Sequence, residues 1–202
     1  MLRKQTKTDV KLNMRTFIAI ELPNAIKDFL SRLQQELKTC GADVKWVEPK
    51  NIHLTLKFLG DVDDNKLNEI TEIIKGVAKE KATFQISISS LGAFPKIDSP
   101  RVIWIGIDAG DKETKEISGL LEEKIAKLGI PKEERPFSSH ITIGRTRSGL
   151  NLGKLVQELK NKSELGGEKL RFDVLKVTLF KSTLSPKGPT YEILKEATLN
   201  NT

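Results

Sequence analysis

Two hydrophobic periods alternate along the chain. From Arg15 to Leu22 the residues Phe17, Ile18, Ala19 and Ile20 are apolar without a break, which predicts a strand. Pro23 then opens a helix in its first turn. Ile26, Phe29, Leu30, Leu33 and Leu37 recur at helical spacing, and Gly41 is a stop. Val44 to Val47 reads as a short strand and His53 to Gly60 as a longer one. Asp61 to Asn65 is a turn that caps a helix whose apolar stripe is Leu67, Ile70, Ile73, Ile74 and Val77. Residues 84–94 alternate with a period of two, Pro95 to Pro100 is a turn, and Val102 to Ile107 is continuously apolar. A third helix carries Ile117, Leu120, Leu121, Ile125 and Leu128 and ends at Gly129. A strand running to about Arg145 and a shorter helix on Leu152, Leu155, Val156 and Leu159 follow. Strand over Leu170 to Leu184, a Ser185–Pro189 turn and a strand from Tyr191 close the chain.

The order repeats. Apolar strand, helix, strand, helix and long strand describe residues 15–94 and again 101–184. Two similar lobes related by a pseudo-twofold axis accommodate that repeat. Residues 1–13 are polar and basic and are expected to be a tail ahead of one bilobal unit, 14–202, with Met14 as an alternative natural start.

One tetrad lies at the centre of each half: His53-Leu54-Thr55-Leu56 and His140-Ile141-Thr142-Ile143. The chain has two histidines, and both are here. Side chains alternate faces along a strand. Each strand therefore buries its aliphatic pair and presents an imidazole beside a hydroxyl. Brought face to face across a groove, two imidazoles suit in-line attack at phosphorus: one takes a proton from water, the other gives one to the departing oxygen. Thr55 and Thr142 are placed to donate to the non-bridging oxygens. Arg145 suits the same oxygens, but strict alternation points it away from His140, so that role requires a bend near Gly144. Lys57 shares the His53 face under strict alternation and is a weaker phosphate candidate, as are Arg101 and Lys181. Phe17, Trp104, Phe180 and Tyr191 are expected in packing, with base stacking as the other use of one of them.

Composition adds limits. A net charge of +7 favours a polyanion such as RNA. No run reaches the roughly 18 apolar residues of a membrane span, and the first residues lack a secretory signal. The single Cys40 excludes an internal disulfide and suits a reducing cytoplasm. Neither tetrad has the ligand spacing of a zinc site, and no metal or other cofactor is expected. Asp61, Asp63, Asn65 and Glu72 match parts of a calcium loop, but Lys66 stands where glycine is required.

The tetrads with their flanks resemble the two-histidine phosphoesterases, and within them the RNA 2',3'-cyclic phosphodiesterases, also called 2'-5' RNA ligases (LigT/ThpR-like). The resembling segments are Arg15 to Pro23, Asn51 to Gly60, Pro100 to Trp104, Pro136 to Arg145, Ser182 to Leu184 and Gly188 to Tyr191. The resemblance implies an α+β, bilobal fold of antiparallel sheet with helices outside and the tetrads lining a central cleft. It implies metal-independent hydrolysis of an RNA 2',3'-cyclic phosphate to a 2'-phosphate, with His53 as proton donor and His140 as proton acceptor. RNA ends of this kind, tRNA fragments among them, are the expected partner, and the protein is expected to act as a cytoplasmic monomer. Ser139 departs from the proline that many members carry before the second histidine. An enzyme acting on 2'-5' linkages or small cyclic phosphates, and an idle RNA-binding module, are the alternatives.

Overall fold

Most apolar periods become elements of the expected kind in the computed structural model, which describes residues 13–165, 170–186 and 188–201. The first twelve residues of the expected tail lie outside the described residues; Asn13 is already in a strand. The elements in order are β1 (Asn13–Glu21), α1 (Asn24–Lys38), β2 (Val44–Trp46), a 3-10 turn (Pro49–Asn51), β3 (His53–Asp63), α2 (Asp64–Lys79), β4 (Phe84–Lys96), β5 (Ser99–Ile107), α3 (Asp111–Ala126), β6 (His140–Thr146), α4 (Leu152–Asn161), β7 (Arg171–Val174), β8 (Lys176–Ser185) and β9 (Gly188–Thr198). The Asp63 carboxylate caps α2 by accepting from the Asn65 N–H.

The strands form one sheet in the order β7-β4-β5-β6-β3-β1-β8-β9, with β2 paired to β6, and every ladder is antiparallel. The two tetrad strands are neighbours at its centre, joined through Leu54 and Ile141. On either side the order is symmetric, but the symmetric halves are not the repeats of the sequence. The long strand ending the first repeat, β4, pairs with β5 of the second. The long strand ending the second, β8, pairs with β1 of the first. Strand exchange thus interlocks the two halves. The strand expected over Leu170 to Leu184 is broken at the exposed Leu175, with β7 at one edge of the sheet and β8 near the other. A single residue spans only about 3.8 Å between Cα atoms. The sheet must therefore curl until its two ends nearly meet.

Its faces differ. One buries Leu54, Leu56, Ile141 and Ile143 with the stripes of all four helices in the main core. The other carries a small cluster of Phe17, Ala19 and Phe180, with Tyr191 against it. Both tetrad strands contain a bulge at the fourth tetrad residue. Ile18 pairs with Lys57 but Ala19 with Thr55, leaving Leu56 over; Ile103 pairs with Gly144 but Trp104 with Thr142, leaving Ile143 over. A carbonyl at such a bulge needs a donor from elsewhere. Each gets one from the helix of the opposite repeat: Ser118 Oγ of α3 to Leu56 O at 2.8 Å, and Gln34 Nε2 of α1 to Ile143 O at 2.8 Å.

The bulges reset the alternation, and this corrects one expectation. Lys57 is turned off the His53 face into the core, where Nζ meets Glu122 Oε2 at 2.6 Å and the Pro131 carbonyl at 3.2 Å. It is a buried ion pair under α3, not a phosphate ligand.

Candidate active site

The same two bulges build the site. After a bulge the cleft face resumes one residue late, so Phe58 follows His53 and Thr55, and Arg145 follows His140 and Thr142. This supplies the bend that Arg145 required. A cleft of about 660 Å³ opens on this face, and its walls include His53, Thr55, Phe58, Thr142, Arg145 and Tyr191. His140 is not part of the cavity wall. It stands half-buried on the same face of β6 as Thr142, and the Leu54–Ile141 register sets it level with Thr55, as it sets His53 level with Thr142. Neither threonine hydroxyl has a hydrogen-bond partner within the described residues, so both are free to donate to a ligand.

Both imidazoles are held the same way. His53 Nδ1 lies 2.7 Å from the Asn51 carbonyl, and His140 Nδ1 lies 2.7 Å from the Ser138 carbonyl, two residues upstream in each case. A carbonyl only accepts, so Nδ1 carries the hydrogen in both rings and Nε2 is left for chemistry. Asn51 does a second job: its side-chain Nδ2 donates to Pro189 O at 2.8 Å, fastening the β8–β9 hairpin to the turn that orients His53.

The profile of a family described as LigT like Phosphoesterase matches the chain twice, over residues 20–104 and 105–191. The chain belongs to the LigT-like phosphoesterase family. The double match follows the internal repeat, one tetrad to each copy. An RNA 2',3'-cyclic phosphodiesterase of Methanocaldococcus jannaschii is 39% identical over 184 residues, covering 91% of this chain and 99% of that one. One of Methanothermobacter thermautotrophicus is 36% identical over 184 residues, covering 89% and 96%. Among solved structures, a Thermus thermophilus protein superposes with a TM-score of 0.77 at 26% identity, covering 93% of this chain and 99% of that one. Escherichia coli LigT complexed with 3'-AMP has the same fold, with a TM-score of 0.77 at 23% identity, covering 94% and 99%.

Within this phosphoesterase the two histidines have unlike surroundings. His53 packs against Phe17 (ring centroids 4.7 Å apart) and edge-on to Tyr191 (5.4 Å), with Phe180 stacked behind Phe17. Burial there lowers its pKa to about 4, opposed by the Asn51 carbonyl and assisted by the Lys27 charge. Among the described residues the one aromatic ring beside His140 is that of Phe94, edge-on at 5.1 Å. Its pKa is also lowered, first by burial and then by the Arg145 charge, against the Ser138 carbonyl. Burial raises the pKa of Tyr191, so its phenol stays protonated near neutrality, despite the charges of Arg145 and Arg15.

The other candidates separate cleanly. Phe17 and Tyr191 reach the cleft wall; Arg101, Trp104, Phe180 and Lys181 do not. The indole of Trp104 lies across Gly92, where a Cβ would come within 2.4 Å of the ring. The cleft residues not anticipated from the sequence include Arg15, Lys45, Phe58 and Arg147. For Lys45 and Arg147 the missing information was the pairing of β2 with β6. For Phe58 it was the bulge, and only the place of Arg15 within a resembling segment singled it out. No three His, Cys, Asp or Glu residues come together as a metal-binding group among the described residues, and no helix there is long and apolar enough to cross a membrane.

Proposed function

We propose that this phosphoesterase opens the 2',3'-cyclic phosphate at an RNA end to a 2'-phosphate, without a metal ion. His140 Nε2 takes a proton from water as its oxygen bonds to phosphorus. The phosphorus–O3' bond breaks, and His53 Nε2–H gives its proton to the departing O3'. Thr55, Thr142 and Arg145 hold the non-bridging oxygens as charge moves onto them. Run with an RNA 5'-hydroxyl in place of water, the same residues form a 2'-5' linkage.

The observation that carries this reading is the duplicated lock: two rings on adjacent strands, each with Nδ1–H fixed on a backbone carbonyl and Nε2 left unpaired among the described residues. The names of the relatives support this choice of substrate. Both rings are neutral at pH 7 in the free protein, and the anionic phosphate must raise the pKa of whichever ring acts as acid.

A second reading exchanges the roles, because the apolar box around His53 makes it the harder ring to protonate. A substrate whose leaving oxygen departs without a proton distinguishes the two. Rescue of His53→Ala by that substrate supports His53 as acid, and rescue of His140→Ala exchanges the assignment. Activity in excess chelator tests the metal-free step; loss that a divalent ion restores would overturn it.

A further inference from the structure

The ladder that extends the cleft beyond Arg145 is crowded with positive charge. Lys45 of β2 is the Cα partner of Arg145, both side chains are exposed, and like charges directly opposite one another destabilise a pair of strands. Arg147 follows two residues on, about 7 Å along an extended chain. Its N–H bonds to Asp43 O at 2.9 Å, so β2 and β6 stay together at that point. Lys45, Arg145 and Arg147 all line the cleft, and none has an ion-pair partner among the described residues. Six lysines elsewhere on the surface are neutralised instead: Lys75, Lys81, Lys115, Lys124, Lys160 and Lys162 each hold a carboxylate at 2.6 or 2.7 Å. The one acid on the cleft wall, Glu48, is taken by Lys50 at 3.1 Å. Three unneutralised cations on one ladder are matched by more than one phosphate.

We propose that Lys45 and Arg147 form a second phosphate subsite, which takes the phosphate on the 5' side of the terminal nucleotide while Arg145 holds the cyclic phosphate. This rests on the substrate reading above and sharpens it. The preferred substrate carries at least two phosphates, and a cyclic mononucleotide without a 5'-phosphate leaves the subsite unused.

The test compares a nucleoside 2',3'-cyclic phosphate with and without a 5'-phosphate. In the wild type the 5'-phosphate lowers KM about tenfold, the effect of one charge-assisted contact. In the Lys45→Ala, Arg147→Ala double variant that ratio falls to about one, while KM for the 5'-hydroxyl compound stays as in the wild type. A wild-type ratio of one, a ratio that survives in the double variant, or equal loss on both compounds would overturn the subsite. A binding measurement separates this proposal from the catalytic one. His53→Ala is titrated with a fluorescent oligonucleotide ending in a cyclic phosphate at several salt concentrations. Removing both cations should flatten the slope of log affinity against log salt by about 0.7 per residue, and an unchanged slope contradicts the subsite even if the wild type cleaves neither nucleotide.

Discussion

The two halves of the sheet share a framework and differ in their walls. Each has a tetrad strand with a bulge at its fourth residue, a ring locked by the carbonyl two residues upstream, and a polar side chain from the other repeat's helix on the bulge carbonyl. The residues that follow the bulges have diverged. Lys57 is matched by Gly144, and Phe58 by Arg145. On the His53 side the core position holds an ion pair and the cleft position an exposed ring. On the His140 side glycine leaves room for Trp46, whose ring would lie 3.0 Å from an added Cβ, and the cleft position holds a guanidinium. A duplicated scaffold thus presents two equivalent nitrogens, while at the position after the bulge only the His140 strand carries a permanent charge. In the mechanism proposed above, that difference distinguishes two identical side chains that take opposite parts.

Removing either ring breaks the comparison most severely. His53→Ala and His140→Ala should each lower kcat/KM by about 10²–10⁴-fold with the fold retained by circular dichroism. Turnover near wild type in either variant would take that ring out of the mechanism. Arg145→Ala should lose about 10²-fold, mostly in kcat. Phe58→Ala, at the matching position, should leave kcat within a few-fold. Equal kcat losses would mean that the two bulge-following positions are not divided as their chemistry suggests.

Lys57→Met tests the core side of the same contrast. The Lys57 side chain is fully buried, and Glu122 keeps 17% exposure. Removing the cation strands a mostly buried carboxylate, and unfolding stability should fall by about 3 kcal/mol, with the turnover of the folded protein preserved. A loss of turnover without loss of stability would return Lys57 to the site.

The lowered pKa values give a smaller, directional effect. The competent form has one ring protonated and one neutral, so it is most populated between two macroscopic pKa values that both lie below the ordinary 6.5. The kcat/KM profile should peak on the acid side of neutrality and fall about tenfold per pH unit above it. Stability runs the other way with pH. The unfolded His53 takes up a proton below about pH 6.5, and the folded one only near 4. Its contribution is therefore complete above pH 6.5 and is lost as pH falls from there to about 4. His53→Gln should weaken the decline in Tm between pH 7 and pH 5; an unchanged decline would place His53 in a more solvated setting than the structure gives it.

The paired tetrads, the apolar faces and the helix stripes were legible because they are periodic, and periodicity survives without knowledge of partners. The bulges were not. An extra residue at Leu56 or Ile143 has no signature in composition, and one missed residue reverses every side chain after it. That is why alternation set Lys57 beside His53 and turned Arg145 away. Strand exchange was hidden for another reason: a repeat gives the order of elements but not which β4 or β8 neighbour completes each half. The break at Leu175 was hidden because an apolar residue between two strands reads as continuous strand.

The bond that is broken decides between this mechanism and its rivals. An RNA oligonucleotide ending in a 2',3'-cyclic phosphate, incubated with the wild-type protein in excess chelator and followed by phosphorus NMR, should convert to a single 2'-phosphomonoester. The same sample with His53→Ala or His140→Ala should remain almost wholly cyclic. A 3'-phosphate product, or a cyclic phosphate left intact by the folded wild type, would contradict the two-histidine opening proposed for this cleft.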